Sequence, residues 1–286
     1  MTDILATGLA FCESPRWHDG RLWVSDWGAQ EILAISPAGE MEVVVKAGFP
    51  AFPMCIDWLP ASGEHSGGLL VVNSTEAVLL NRQPDGELAR YADLGGTPGH
   101  SWNDIVVDGR GNTYVNSAGV RGADGGFSPG LVVLITPDGT VSQVADNLAF
   151  ANGMAVTPDN RTLIVAESYG QVLTAYDIAA DGTLDGRRTW AATSGDHPDG
   201  ICIDAEGAVW YADVAQRHCV RVAEGGEVLQ TVTSDRGCFA CILGGTDRAT
   251  LFIVGQEWHG FDQANDGSRT GQVMAIQAPA PSAGWP

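Results

Sequence analysis

The stretch His197-Pro198-Asp199-Gly200-Ile201-Cys202-Ile203-Asp204-Ala205-Glu206-Gly207-Ala208-Val209-Trp210-Tyr211-Ala212-Asp213 reads as a β-hairpin. A polar residue and a glycine open it, Ile201 and Ile203 alternate as strand residues do, residues 204–207 make a turn, and Val209-Trp210-Tyr211 form the return strand. The pattern returns five more times. Clear copies begin at Asn103-Asp104-Ile105 and Asn152-Gly153-Met154, and weaker ones at Glu13-Ser14-Pro15, Met54-Cys55-Ile56 and Phe239-Ala240-Cys241.

Taken at Pro15, Ile56, Ile105, Met154, Ile201 and Cys241, the copies are spaced by 41, 49, 49, 47 and 40 residues. That is the period of a propeller blade. Most copies continue into a second turn such as Gln83-Pro84-Asp85-Gly86 or Thr136-Pro137-Asp138-Gly139, so each unit holds about four short antiparallel strands. The expected fold is all-β: one domain over residues 1–286, a six-bladed β-propeller of four-stranded antiparallel blades. The 37 glycines belong to its turns, and 44% hydrophobic residues with 9 tryptophans exclude a disordered chain.

A formal charge of −20, from 15 Lys and Arg against 35 Asp and Glu, makes nucleic acid and anionic membranes poor partners and favours cations. Cys12, Cys55, Cys202, Cys219, Cys238 and Cys241 lie in apolar strand contexts without zinc-like pairing and read as small buried hydrophobes of a reducing compartment. The N-terminus lacks the basic and apolar regions of a signal peptide, and no run of about eighteen apolar residues occurs. A cytoplasmic location is expected. Residues 1–12 lead into the ring, one terminus completes a blade begun at the other, residues 119–130 interrupt blade three as a candidate lid, and the tail Ala278-Pro279-Ala280-Pro281 reads as disordered.

Two positions before each anchor, where an innermost strand enters the channel, stand Glu13, Met54, Asn103, Asn152, Asp199 and Phe239. Four carry oxygen, and propeller symmetry brings them to one axis. Two carboxylates and two amides suit calcium, magnesium or manganese better than zinc. One divalent cation is the expected cofactor, calcium first, with magnesium, manganese or zinc as alternatives. Taken singly, Asn or Asp before glycine is also a common turn residue. His65 reads as a solvated loop histidine, His100, His197 and His259 as loop residues near the mouth, Asp104 as a residue orienting Asn103 or capping a turn, and Asp26, Glu167 and Asp213 as structural blade contacts.

Glu13-Ser14-Pro15-Arg16-Trp17, Trp102-Asn103-Asp104, Ala151-Asn152-Gly153-Met154-Ala155 and Pro198-Asp199-Gly200 together resemble the senescence marker protein (regucalcin)/gluconolactonase family, which is similar to the squid-type diisopropyl fluorophosphatases. The resemblance implies a channel ion held by Glu13, Asn152 and Asp199, with Asn103 serving the ion or the substrate, and Asp199 as general base or nucleophile. Sugar-lactone members carry arginine where this chain has Ser101, and an acidic residue near Arg121. With Trp27, Met54, Trp102, Phe239 and Trp258 at hand, Ser101, Trp102, Asn103, Met54, Phe239 and Arg121 are expected around a small-molecule substrate less polar than a sugar lactone. The expected activity is metal-dependent lactone hydrolysis. The alternatives are phosphotriester hydrolysis and a non-catalytic calcium- or ligand-binding propeller.

Overall fold

Short β-rich runs separated by turn residues cannot bury their apolar faces alone, and here they do so as sheets packed around an axis. A computed structural model describes residues 2–48, 52–61, 67–99, 101–121, 126–260 and 267–286. Among them the chain forms strands and no helix, and the strands make six antiparallel blades of four, one extended to five by Ser282–Ala283, a six-bladed β-propeller. No helix is therefore long and apolar enough to cross a membrane. The inner strands are Cys12–His18, Ile56–Trp58, Trp102–Val107, Ala151–Val156, Ile201–Asp204 and Gly237–Gly244.

Burial follows position in the blade. Leu69–Asn73 and Gly237–Gly244 are buried at every residue, because neighbouring blades cover both faces, whereas the outermost strand Met41–Lys46 is mostly exposed. The ring closes in a way that the sequence permits: Asp3–Leu9 pairs antiparallel with Gly271–Gln277 and becomes the outer strand of blade six.

The tail departs from expectation. Ala278 and Ala280 are buried, Ser282–Ala283 pairs with Ile203 and Asp204 on the free edge of an inner strand, and Trp285 exchanges two backbone hydrogen bonds with Val156. Unpaired inner-strand edges supply partners that composition could not reveal. These contacts fall at the ends of inner strands whose beginnings carry Asn152 and Asp199.

Four inner strands open with one extra residue relative to their partners: between Glu13 and Arg16, between Trp102 and Asp104, between Ala151 and Met154, and between Cys238 and Ala240. Such β-bulges re-aim a side chain. Asp26, Glu167 and Asp213 at second-strand ends fasten the chain entering these strands, accepting from the backbone N–H of Phe11 (2.8 Å), Ala149 (2.7 Å) and His197 (2.5 Å) respectively. The structural reading of these three acids holds.

Neighbouring inner strands also touch. Gly153 N–H donates to Asp199 O (3.2 Å) and Gly200 N–H to Phe239 O (2.9 Å). The glycines after Asn152 and Asp199 thus permit close approach rather than a turn: a Cβ on Gly200 would lie 2.2 Å from that of Ala240, and one on Gly153 would lie 2.5 Å from Asp199 O. Gly200→Ala is expected to cost about 1–3 kcal/mol as an overpacking change, read as a fall in Tm of several degrees at about 2–4 °C per kcal/mol.

Candidate metal centre

The bulges point their residues at one place. Glu13, Asn103 and Asn152 line a cavity of about 20 Å³, room for one water-sized particle, together with Arg16, Asp104 and Cys241. Glu13, Asn103, Asn152 and Asp199 also line an adjoining cavity of about 210 Å³. Asn103 Nδ2 donates to Asn152 Oδ1 (3.0 Å) and Asn152 Nδ2 to Ser168 Oγ (3.2 Å).

Charge is distributed unevenly beneath these oxygens. Arg16, buried, approaches Asp104 at 3.3 Å and Asp57 at 3.7 Å and donates to Ile105 O (2.6 Å), joining blades one, two and three. Asp104 also accepts from Met154 N–H (2.8 Å), so it braces the strand that carries Asn152. Glu13 and Asp199 form no ion pair among the described residues. Burial pushes the Glu13 carboxyl up to about 8, with the Ser14 N–H opposing and Asp104 adding repulsion. Asp199 keeps partial solvent contact through the cavity, yet is held well above the usual carboxylate range by desolvation first and Glu13 second, with a hydrogen bond from Asn152 opposing. Two desolvated, mutually repelling carboxylates and two amides that all line the larger cavity, three of the four also lining the one-particle cavity beside it, fit a hard divalent cation, which would remove that penalty.

The wider cavity has aromatic walls. Phe11 stacks on Trp27 (5.3 Å) and meets Phe239 edge-on (5.0 Å), and Phe239 meets Trp258 (5.3 Å). Opposite, Phe150 and Tyr169 lie 4.6 Å apart, and Phe127 reaches Tyr169 at 5.2 Å from the short hairpin of Val120–Arg121 and Phe127–Ser128. Among the described residues no lysine or arginine lines it.

Several expected substrate contacts lie elsewhere. Trp102 and Met54 are buried in the core (1% and 0% exposed) and line neither cavity: Trp102 precedes the bulge that turns Asn103 to the channel, and Met54 precedes a shorter inner strand and offers its carbonyl to Trp27 Nε1 (2.7 Å). Ser101 is exposed, at φ +57°, and lines neither cavity. Arg121 pairs with Phe127 through its backbone; its side chain, the middle of the 119–130 segment, His65 and His100 lie outside the described residues. Phe239, Trp27, Trp258 and His197 do line the larger cavity, whereas the exposed His259 does not. All six cysteines are buried and free, as read.

Phe11, Phe150, Ser168, Tyr169, Val214 and Ala215 line the cavity without having been expected there. Two registers carry the signal. Phe11, Phe150 and His197 stand two residues before Glu13, Asn152 and Asp199, and Trp27, Ser168 and Val214 directly follow Asp26, Glu167 and Asp213. Another titratable group, Asp196, Asp213 and His218, holds its ligand atoms within 4.8 Å of one another. Its members are already committed: Asp196 accepts from Tyr211 Oη (2.7 Å) and meets His218 Nε2 (2.9 Å), and Asp213 accepts from His197 N–H and Gln216 N–H. They anchor the segment that leads to Asp199.

Residues 11–256 match the model of the SMP-30/Gluconolactonase/LRE-like region family. The chain belongs to this family. Among SMP-30/gluconolactonase relatives, regucalcin of Xenopus laevis is 27% identical over 254 residues, covering 85% of this chain and 82% of its own. The 6-deoxy-6-sulfogluconolactonase of Pseudomonas putida is 26% identical over 227 residues, 77% of this chain and 76% of its own. A luciferin-regenerating enzyme superimposes with a TM-score of 0.80 at 19% identity, over 97% of this chain and 95% of that one, and shares the fold.

The raised Glu13 carboxyl gives a signed expectation for ion-free protein. A folded pKa of about 8 against an ordinary 4.5 means that the native state binds the extra proton between those values, so stability falls as pH rises through that window. In chelator, denaturant unfolding at pH 5 and pH 8 should show Glu13→Gln losing less stability than wild type across this range. An equal loss in both would place the penalty elsewhere.

Proposed function

We propose that this chain is a divalent-cation-dependent hydrolase that opens a lactone at the channel mouth, with Glu13, Asn103, Asn152 and Asp199 holding the ion. The observation that carries the reading is a pair of desolvated carboxylates, without an ion pair among the described residues, lining one cavity with two amides, all but Asp199 also lining the one-particle cavity beside it. Family membership and the 6-deoxy-6-sulfogluconolactonase relative support the reaction class, and the presence of regucalcins in the family supports calcium.

A bound cation supplies Lewis-acid polarisation of the ester carbonyl. Asp199, facing the larger cavity, accepts a proton from water as the water oxygen bonds to the acyl carbon. The ring C–O bond then breaks, and the proton passes to the leaving alkoxide to give a hydroxy acid. The aromatic walls exclude bulk water and strengthen the electrostatics of the floor. With no lysine or arginine and few hydroxyls among the described lining residues to match a polyol, the cavity favours a lactone less polar than a sugar lactone. The charge of −20 argues for a small-molecule substrate rather than nucleic acid or an anionic membrane, and six free thiols fit the cytoplasm.

The test is a panel of aliphatic, aromatic and aldono-lactones beside a phosphotriester, with and without chelator, on protein whose ion content is measured. About one divalent ion per chain, chelator-sensitive lactonase activity and higher kcat/KM on apolar lactones are expected. Asp199→Asn should lower kcat by about 10²–10⁴-fold, the contribution of a general base. Preference for the phosphotriester would select the other hydrolase, and ion binding without turnover would select a binding protein.

A further inference from the structure

The orientation of a side-chain amide decides whether it offers oxygen or N–H to an ion, and Ser168 sets that of Asn152 together with Asp199, which accepts a hydrogen bond from it, and Asn103, which donates one to its oxygen. The hydroxyl of Ser168 has a single proton, and Ser168 Oγ donates it to Pro198 O at 2.8 Å, a carbonyl that can only accept. What remains on that oxygen are lone pairs. They accept from Asn152 Nδ2 at 3.2 Å and could not accept from its oxygen. The N–H₂ end of Asn152 is thus drawn to Ser168, and Oδ1 is turned toward Asn103 and the small cavity.

The same hydroxyl joins two segments that carry candidate ligands. Pro198 immediately precedes Asp199, and Ser168 immediately follows Glu167, whose carboxylate holds Ala149 N–H ahead of Asn152. Ser168 N–H also donates to Phe150 O (3.0 Å), so its backbone is fixed on the side away from the hydroxyl. It is 7% exposed and lines the larger cavity. We infer that Ser168 is a positioning residue of the metal centre: it presents the Asn152 carbonyl oxygen to the cation and holds the Asp199 segment at the matching distance. This role rests on the metal reading above. Partners that orient a ligand in this way typically change metal affinity 10–100-fold when removed.

Valine and threonine have nearly the same shape and differ by the hydroxyl, so the pair separates orientation from packing. Calcium titration calorimetry on chelator-treated protein should give Ser168→Val an affinity about 10-fold or more below wild type, with Ser168→Thr restoring it. At saturating calcium, kcat of Ser168→Val should recover toward wild type, because the variant lacks the orienting partner and not a reacting group. Calcium affinity unchanged in Ser168→Val, or lowered equally in the threonine variant, would overturn the positioning role while leaving the metal reading intact. A wild-type chain that binds neither calcium nor another divalent ion would overturn the metal reading, and this role with it.

Discussion

The centre depends on an extra residue in the innermost strands. A regular strand sends successive side chains to opposite faces, so a residue entering the channel would alternate between axis and core. The bulges at Glu13 to Arg16, Trp102 to Asp104 and Ala151 to Met154 break that alternation where the strands begin and turn Glu13, Asn103 and Asn152 toward one cavity. Asp199 lines only the adjoining larger cavity and reaches it differently: its strand starts at Ile201, and Gly200 lets the chain lie against Phe239. Backbone hydrogen bonds between neighbouring blades then fix the spacing of these segments, so the donor set belongs to the ring and not to any one blade.

That convergence is costly without a cation. Arg16 lines the small cavity with Glu13 and draws its carboxyl down, yet it is also engaged by Asp104, Asp57 and the Ile105 carbonyl. Even Asp57 is pushed up to about 6 by burial despite this pairing. One guanidinium thus faces several buried acids and the Glu13 and Asp199 carboxyls stay raised, an arrangement stable in water only when protons or an ion neutralise it. The fold meets the cost elsewhere, through strands buried on both faces and a ring closed by Asp3–Leu9 at one terminus and Ser282–Ala283 at the other.

The fold was legible because repetition survives sequence drift: six copies of one hairpin define the blades, and a register two residues before each anchor finds Glu13, Asn103, Asn152, Asp199 and Phe239. The same register misplaces Met54, which is buried in the core and lines neither cavity. Trp102 was misread because composition cannot show a bulge, and adjacency to Asn103 suggests a shared face that the bulge denies. The tail looked disordered because its order comes from pairing with Ile203, Asp204 and Val156, some 75 or more positions away, and not from its own proline and alanine.

The two registers that line the larger cavity differ in what constrains them. Glu13, Asn103 and Asn152 sit in bulged strands, and the glycines that follow Asn152 and Asp199 have no room for a methyl group. Wall residues such as Phe11, Phe150 and Tyr169 stand just outside the strands, their backbone N–H groups donating to the Asp26 carboxylate, Leu148 O and Ala149 O respectively. A wall side chain can therefore change without moving the backbone that carries it, whereas a ligand cannot. The candidate ligands and the cavity walls occupy separate layers of the same ring, so a propeller of this kind can change the polarity of its pocket over an unchanged donor set.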